Sequence, residues 1–114
     1  MIQLRGTGNL HHIAQTASND ILNSGMSCHL VERVSEAHGE VQLVVQVFEK
    51  YYMRVSNRVS LTLTLVAVGD AVTAYCIGSG GGQGPIFAMS WGAEENFAIT
   101  AAQALERQGF LRID

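Results

Sequence analysis

The sequence predicts an α+β domain, an antiparallel four- to five-stranded sheet with two helices packed on one face, in the order (β)-α-β-β-β-β-(β)-α. Three observations carry this. Apolar residues recur at helical spacing near both ends of the chain, the period falls to two in between, and glycine, asparagine or aspartate stands where the alternating runs must turn.

From Asn9 to Ser24, Leu10, Ile13, Ala14, Ala17 and Ile21 share one helical face, and Gly25 stands where a left-handed C-cap is expected. Met1 to Arg5 reads as an edge strand before it, with Gly6 and Gly8 loosening the chain between them. A first meander strand runs from about Met26 to Val34 and turns at Glu36-Ala37-His38-Gly39. In the second, Val41, Leu43, Val45 and Val47 alternate with Gln42 and Gln46, and the strand extends through Tyr51 toward Val55. Ser56-Asn57 serves as a hairpin turn, after which Val59, Leu61, Leu63 and Leu65 alternate with Ser60, Thr62 and Thr64. Gly69-Asp70 is a two-residue hairpin signal and leads into a strand from Ala71 to Ser79.

The run Gly78-Ser79-Gly80-Gly81-Gly82-Gln83-Gly84-Pro85 holds five of the 12 glycines and reads as a loop. Ile86 to Ser90 is a candidate short strand. From about Gly92, Phe97, Ala101 and Leu105 form a helical stripe with Ala98 and Ala102 beside it. Gly109 ends that helix and lets Phe110 or Leu111 fold back on its last turn. This order resembles the TATA-binding-protein-like and helix-grip folds, which share a strand, a helix, a run of antiparallel strands and a C-terminal helix. The resemblance spans the chain but concerns topology, and such folds host unrelated functions.

With 114 residues, 47% of them apolar and 15% charged, the chain is long enough for one domain, residues 1–114, that folds on its own core. A net charge of −3 argues against general nucleic-acid binding, which needs a basic surface to displace counterions. No apolar h-region follows Met1-Ile2-Gln3-Leu4-Arg5-Gly6, and no apolar run approaches the roughly 20 residues of a membrane span. The expectation is a cytoplasmic protein with no membrane partner. Cys28 and Cys76, at no recognised spacing, read as reduced, buried thiols.

Candidate chemistry gathers at two places. Lys50, Tyr51, Tyr52, Arg54 and Arg58 hold three of the seven basic residues, and Lys50, Tyr52 and Arg54 share a face if the strand is continuous. Such a strip suits a phosphate or carboxylate; it also serves as a solvated strand end whose charges block edge pairing. The glycine run fails as a P-loop, because Gly84 is followed by Pro85-Ile86 instead of Lys and Ser or Thr. It fails as a dinucleotide fingerprint too, with Gln83 or Pro85 where glycine is required. Gly80, Gly81, Gly82 and Gln83 remain candidates for close backbone approach to a ligand, with Trp91 as a neighbouring anchor. Glu94 and Glu95 complement the dipole of the helix they open and, being adjacent, do not converge by themselves. His11, His12, His29 and His38 show no metal spacing, so no metal and no cofactor are expected. Ser60, Thr62 and Thr64, with Gln42 and Gln46, would give the sheet a second face that is polar but uncharged, open to water or to another copy.

Gly80-Gly81-Gly82-Gln83-Gly84, Trp91-Gly92-Ala93-Glu94-Glu95 and Ser56-Asn57-Arg58-Val59-Ser60-Leu61-Thr62 resemble a family of small uncharacterised bacterial proteins, a domain of unknown function. The resemblance implies a soluble single-domain protein and transfers no residue role. The leading expectation is a non-catalytic domain that binds a partner or a second copy, as a homodimer, through its sheet face or glycine loop. The alternative is a binder of a small apolar or anionic ligand, held between the sheet and the C-terminal helix with Lys50, Tyr52, Arg54 or Arg58 on its charge. An enzyme using Glu94, Glu95 or Cys76 ranks third.

Overall fold

Strand alternation decides where the core lies, so the pairing register matters more than the element list. The computed structural model describes residues 1–25, 27–52, 57–80 and 91–113, with residues 52, 57 and 91 described by their backbone. The order is β1 (Ile2–Thr7), α1 (Leu10–Leu22), β2 (His29–His38), β3 (Val41–Tyr52), β4 (Asn57–Val68), β5 (Ala71–Gly80), α2 (Trp91–Glu106) and β6 (Leu111–Ile113). All pairings are antiparallel, in a six-stranded sheet of order β2-β3-β4-β5-β1-β6. The fold class is the α+β arrangement expected, with both helices packed on one face.

The cleanest alternation in the chain sets the layers. Val59, Leu61, Leu63, Leu65 and Ala67 of β4 are all buried, as are Val72, Ala74 and Cys76 of β5 and Leu4 of β1. Against them lie Leu10, Ile13, Ala14, Ala17 and Ile21 of α1 and Phe97, Ala98, Ala101, Ala102 and Leu105 of α2, the two stripes expected. Asn9 caps α1, its Oδ1 accepting from the His12 backbone N–H at 3.0 Å. Arg107 and Asp20, 3.3 Å apart, tie the two helices at the rim.

Several boundaries differ from expectation. β2 continues to His38, and the turn is Gly39-Glu40, because Gly39 at φ +60° supports a two-residue hairpin in which His38 pairs with Val41. Gly25 is not a left-handed cap: α1 ends at Leu22, and the Asn23 backbone N–H donates to the Asn19 carbonyl. Gly25 instead gives space to Lys50, whose Cε would lie 2.6 Å from a Cβ there. Gly78, Ser79 and Gly80 belong to β5, not to a loop, since they pair with Leu61, Ser60 and Val59. At Gly78 the α2 backbone at Glu94 comes so close that a Cβ would strike its carbonyl. Gly109, at φ +91°, ends α2, and the Phe110 N–H returns to the Leu105 carbonyl at 3.1 Å. Phe110 is buried over Gly6, while Leu111 is exposed and starts β6, a strand that periodicity did not reveal. The candidate strand 86–90, the start of the first meander strand at 26 and the continuation of the second to 55 lie outside the described residues.

The largest correction concerns β3. Val44 pairs with Leu65 and Phe48 with Leu61, so the even-numbered residues of β3 face the helices. Gln42 and Gln46 are therefore on the helix side, and Val41, Leu43, Val45 and Val47 point away from it. Gln46 is fully buried. With its amide turned so that the Arg33 donors meet an oxygen, it accepts from Arg33 Nε at 3.0 Å and Nη2 at 2.8 Å. Arg33 Nη1 also donates to Gln15 Oε1 at 3.4 Å, linking β2 to α1. A buried amide oxygen deprived of its donor costs about 1–3 kcal/mol, more than the bond itself contributes.

Two stability predictions follow from these contacts. Arg33→Ala is expected to destabilise the protein by about 1–3 kcal/mol in urea unfolding, and by less than about 0.5 kcal/mol in a Gln46→Leu background, where no buried amide is left unpaired. Equal losses in both backgrounds would mean that Arg33 acts elsewhere. Gly78→Ala should cost about 1–3 kcal/mol by forcing α2 off β5, and an unchanged unfolding midpoint would remove that close contact from the account.

Candidate functional site

The residues singled out from sequence do not form one site. Lys50 and Tyr52 belong to β3, and Arg58 to β4 opposite Tyr51, while Lys50 pairs with Val59. Lys50 therefore lies on the helix side, half-buried, with its ammonium 5.7 Å from the centre of the Phe97 ring. Arg58 lies on the other face, exposed, with Nη1 3.7 Å from Glu49 Oε1. The register thus divides between two faces a basic cluster that is continuous in sequence. Gly80 closes β5 at φ +115°, where a Cβ would lie 2.9 Å from the Arg58 carbonyl oxygen. Trp91 opens α2. Arg54, Gly81, Gly82 and Gln83 lie outside the described residues.

The described residues form concavities beside the sheet. A cavity of about 320 Å³ lies between β5 and α2, lined by Met1, Ile2, Gly78, Glu94, Glu95 and Ala98. It brings Glu94 and Glu95 to one hollow, although they are adjacent on a helix. Glu94 Oε2 is buried with no hydrogen-bond partner among the described residues. A second, of about 240 Å³, is open and lined by His11, Ser35, Glu36, Ala37 and Gln42. Among the described residues no group of three His, Cys, Asp or Glu side chains is placed to hold a metal ion. His29 lies 3.5 Å from Glu49 and His38 3.2 Å from Glu36, both at exposed strand positions.

Both cysteines are free thiols, Cys76 buried and Cys28 half-buried. Burial raises the Cys28 thiol, with the Lys50 cation working against that shift. Burial pushes Cys76 up to about 12, against smaller opposing effects of Arg112 and the N-terminus. A thiol held protonated so far above neutral pH is a poor nucleophile.

The feature that sequence reasoning missed is the sheet face turned away from the helices. Register joins Glu36, Leu43, Val66, Thr73 and Arg5 into one cross-strand row, and Val34, Val45, Thr64, Tyr75 and Gln3 into the next. Thr62 and Thr64 lie on this face as expected, but so do Leu43, Val45, Val47 and Val66, half-exposed. The exposed Val34, Val41, Tyr51, Val68, Ile77 and Leu111 fall on it too. Its middle is aliphatic with threonine and its margins carry Glu36, Arg5, Glu49 and Arg58, not the uncharged polar surface expected. The signal was present in the odd-numbered valines of β3, but Phe48 and Val44 compete for the same core.

The comparisons agree with a family reading. The model of a family of unknown function, DUF6054, matches residues 1–109. The chain belongs to that family. No curated protein and no solved structure matches it. No helix among the described residues is long and apolar enough to cross a membrane.

Cys76 makes a prediction of definite sign. Above pH 9 the unfolded chain loses this thiol proton while the native state keeps it until about 12, so protons are taken up on folding and stability falls as pH rises. The decline attributable to Cys76 is at most about 1.4 kcal/mol per pH unit. Urea unfolding from pH 8.5 to 10.5 should show a shallower decline for Cys76→Ala than for the parent chain; parallel slopes would contradict the assignment.

Proposed function

We propose that this domain works by binding, with the open sheet face as its contact surface. One observation carries the reading. A sheet whose helices cover one side leaves the other to water, and water-facing strands ordinarily alternate apolar-in with polar-out. Here β3 and β4 turn Leu43, Val45, Val47 and Val66 outward beside exposed Val34, Val41 and Val68. Single exposed valines are ordinary, but apolar residues joined across three neighbouring strands form a patch of the kind that contact surfaces use. The two edges point to the same conclusion. β2 carries Glu32, Arg33, Glu36 and His38 and a register shift between Leu30 and Glu32, and β6 has three residues, so both edges resist strand addition. Among the described residues, the face is the surface left available.

The cavity between β5 and α2 supports a second reading, the binding of a small ligand. Glu94 and Glu95 on its wall favour an apolar or cationic molecule over an anion. The topology, with β1 closing onto β5 beside a four-stranded meander, supports kinship with TATA-binding-protein-like and helix-grip folds. We assign neither catalysis nor a cofactor to any residue.

The test is protection of the face. Thr64 stands in its middle, so a Cys28→Ser/Thr64→Cys chain carries one reactive thiol there and leaves only buried Cys76 besides. Maleimide labelling is expected to be prompt in dilute purified protein and at least tenfold slower inside the native cell. Equal rates in both settings would overturn the reading.

A further inference from the structure

We propose that the occupant of the open sheet face is a second copy of this chain, packed face to face about a two-fold axis that runs parallel to the strands above β4. The proposal rests on the reading of that face as a contact surface and adds the partner and its orientation.

The strand order places β4 midway between β2 and β1, with β3 on one side and β5 on the other. The row through the middle of the face runs Glu36, Leu43, Val66, Thr73, Arg5. It has a carboxylate at one end, a guanidinium at the other and uncharged residues between. A two-fold axis along the strands keeps this row at the same height and reverses its direction. Glu36 of one copy then meets Arg5 of the other, twice, with Val66 on Val66 between the two pairs. In the next row the same operation sets Val45 on the Tyr75 ring and Thr64 on Thr64. The other in-plane axis, perpendicular to the strands, lays β2 on β2. That arrangement gathers Glu32 and Glu36 of both copies at one edge and the two Arg5 at the other, and like charges so placed are repulsive. The chosen axis also sets Arg58 of β4 on its own copy, but each Arg58 has Glu49 beside it at 3.7 Å to offset its charge, so the Glu36–Arg5 pairs decide between the two face-to-face orientations.

Both charged groups suit the role. Arg5 is exposed and forms no ion pair among the described residues. Glu36 meets His38 at 3.2 Å and is otherwise turned to the open side. Aligned sheets pack about 10 Å apart at about −30°, within reach of an Arg and a Glu extended toward one another. The area is sufficient as well: the five strands from β2 to β1, about 4.8 Å apart with the two longest near 40 Å, give a face of roughly 700 Å², close to the ~800 Å² per partner of a standard interface.

Sedimentation velocity of the full chain over a wide concentration range decides the matter. The parent chain is expected to dimerise. Arg5→Glu and Glu36→Arg should each weaken the dimer at least tenfold, and the Arg5→Glu/Glu36→Arg double variant should regain most of the loss, because the swapped charges again face each other. Val45→Lys should give a monomer that keeps the far-ultraviolet spectrum of the parent. If a charge-reversed chain does not fold, Arg5→Gln and Glu36→Gln replace it, each expected to weaken the dimer less than reversal does. A parent chain that stays monomeric at about 100 μM overturns the proposal. So does a dimer indifferent to either reversal, or a double variant as weak as the sum of the singles. Should the chain be monomeric while the Thr64→Cys thiol is protected in cells, the second copy is excluded and the contact-surface reading stands with another partner. An unprotected thiol removes both.

Discussion

The pairing of Val44 with Leu65 and of Phe48 with Leu61 is the constraint on which the rest of the sheet depends. β4 has no freedom of face, because its odd-numbered residues from Val59 to Ala67 are aliphatic and its even-numbered ones include serine and threonines. Once β3 is hydrogen-bonded to it in this register, every side chain of β3 is assigned. A slip by one residue would exchange its two faces completely. The observed register buries Phe48, the largest side chain of the strand, at the cost of burying Gln46. Burying a phenyl ring contributes about 1.5–3 kcal/mol, and a buried amide is tolerable only when bonded. The Arg33 guanidinium supplies those bonds, so Arg33 on β2 is what makes the β3 register sustainable.

The helical layer is governed by small residues. α2 offers Ala93, Ala98, Ala101, Ala102 and Ala104 to the core, and Gly78 removes the last side chain between its first turn and β5. That close approach anchors α2 at its N-terminal end, while Phe110 over Gly6 anchors the far end after the glycine cap. β6 is a consequence of this return: the chain leaving Gly109 is already beside β1, and Leu111, Arg112 and Ile113 pair with Arg5, Leu4 and Gln3. The helices are then used up on one face, and nothing within the described residues covers the other.

What could be read from the sequence follows from how many signals agreed at each place. In α1, in α2 and in β4 from Val59 to Leu65 one face is apolar and the other is polar, so periodicity located both the element and its buried side, whereas in β5, with Ile77 outward, it located the strand alone. β3 is apolar on both sides, with Val44 and Phe48 against Val41, Leu43, Val45 and Val47, and alternation alone favours the wrong one. The strand was legible there; its face was not. β6 is three residues long, shorter than any period-two pattern can establish. Gly25 and Gly39 were both visible as turn residues, but only Gly39 has the positive φ, because the C-terminal turn of α1 closes through Asn23 and Ser24 instead.

The candidate site shows the same limit in a sharper form. Lys50 and Arg58 are eight positions apart and on opposite faces, whereas Glu36 and Arg5, far apart in sequence, stand in one row. Nearness along the chain measures little in an antiparallel sheet, where a residue's neighbours on its own face are supplied by other strands. A surface such as the open face therefore has no linear signature. It comes into being only when the register of β3 turns its valines outward, and the same pairing that buries Phe48 creates the apolar rows opposite. Core and contact surface are two outcomes of one hydrogen-bonding register, so a change that disturbs the first at Gln46 or Arg33 reaches the second without touching it.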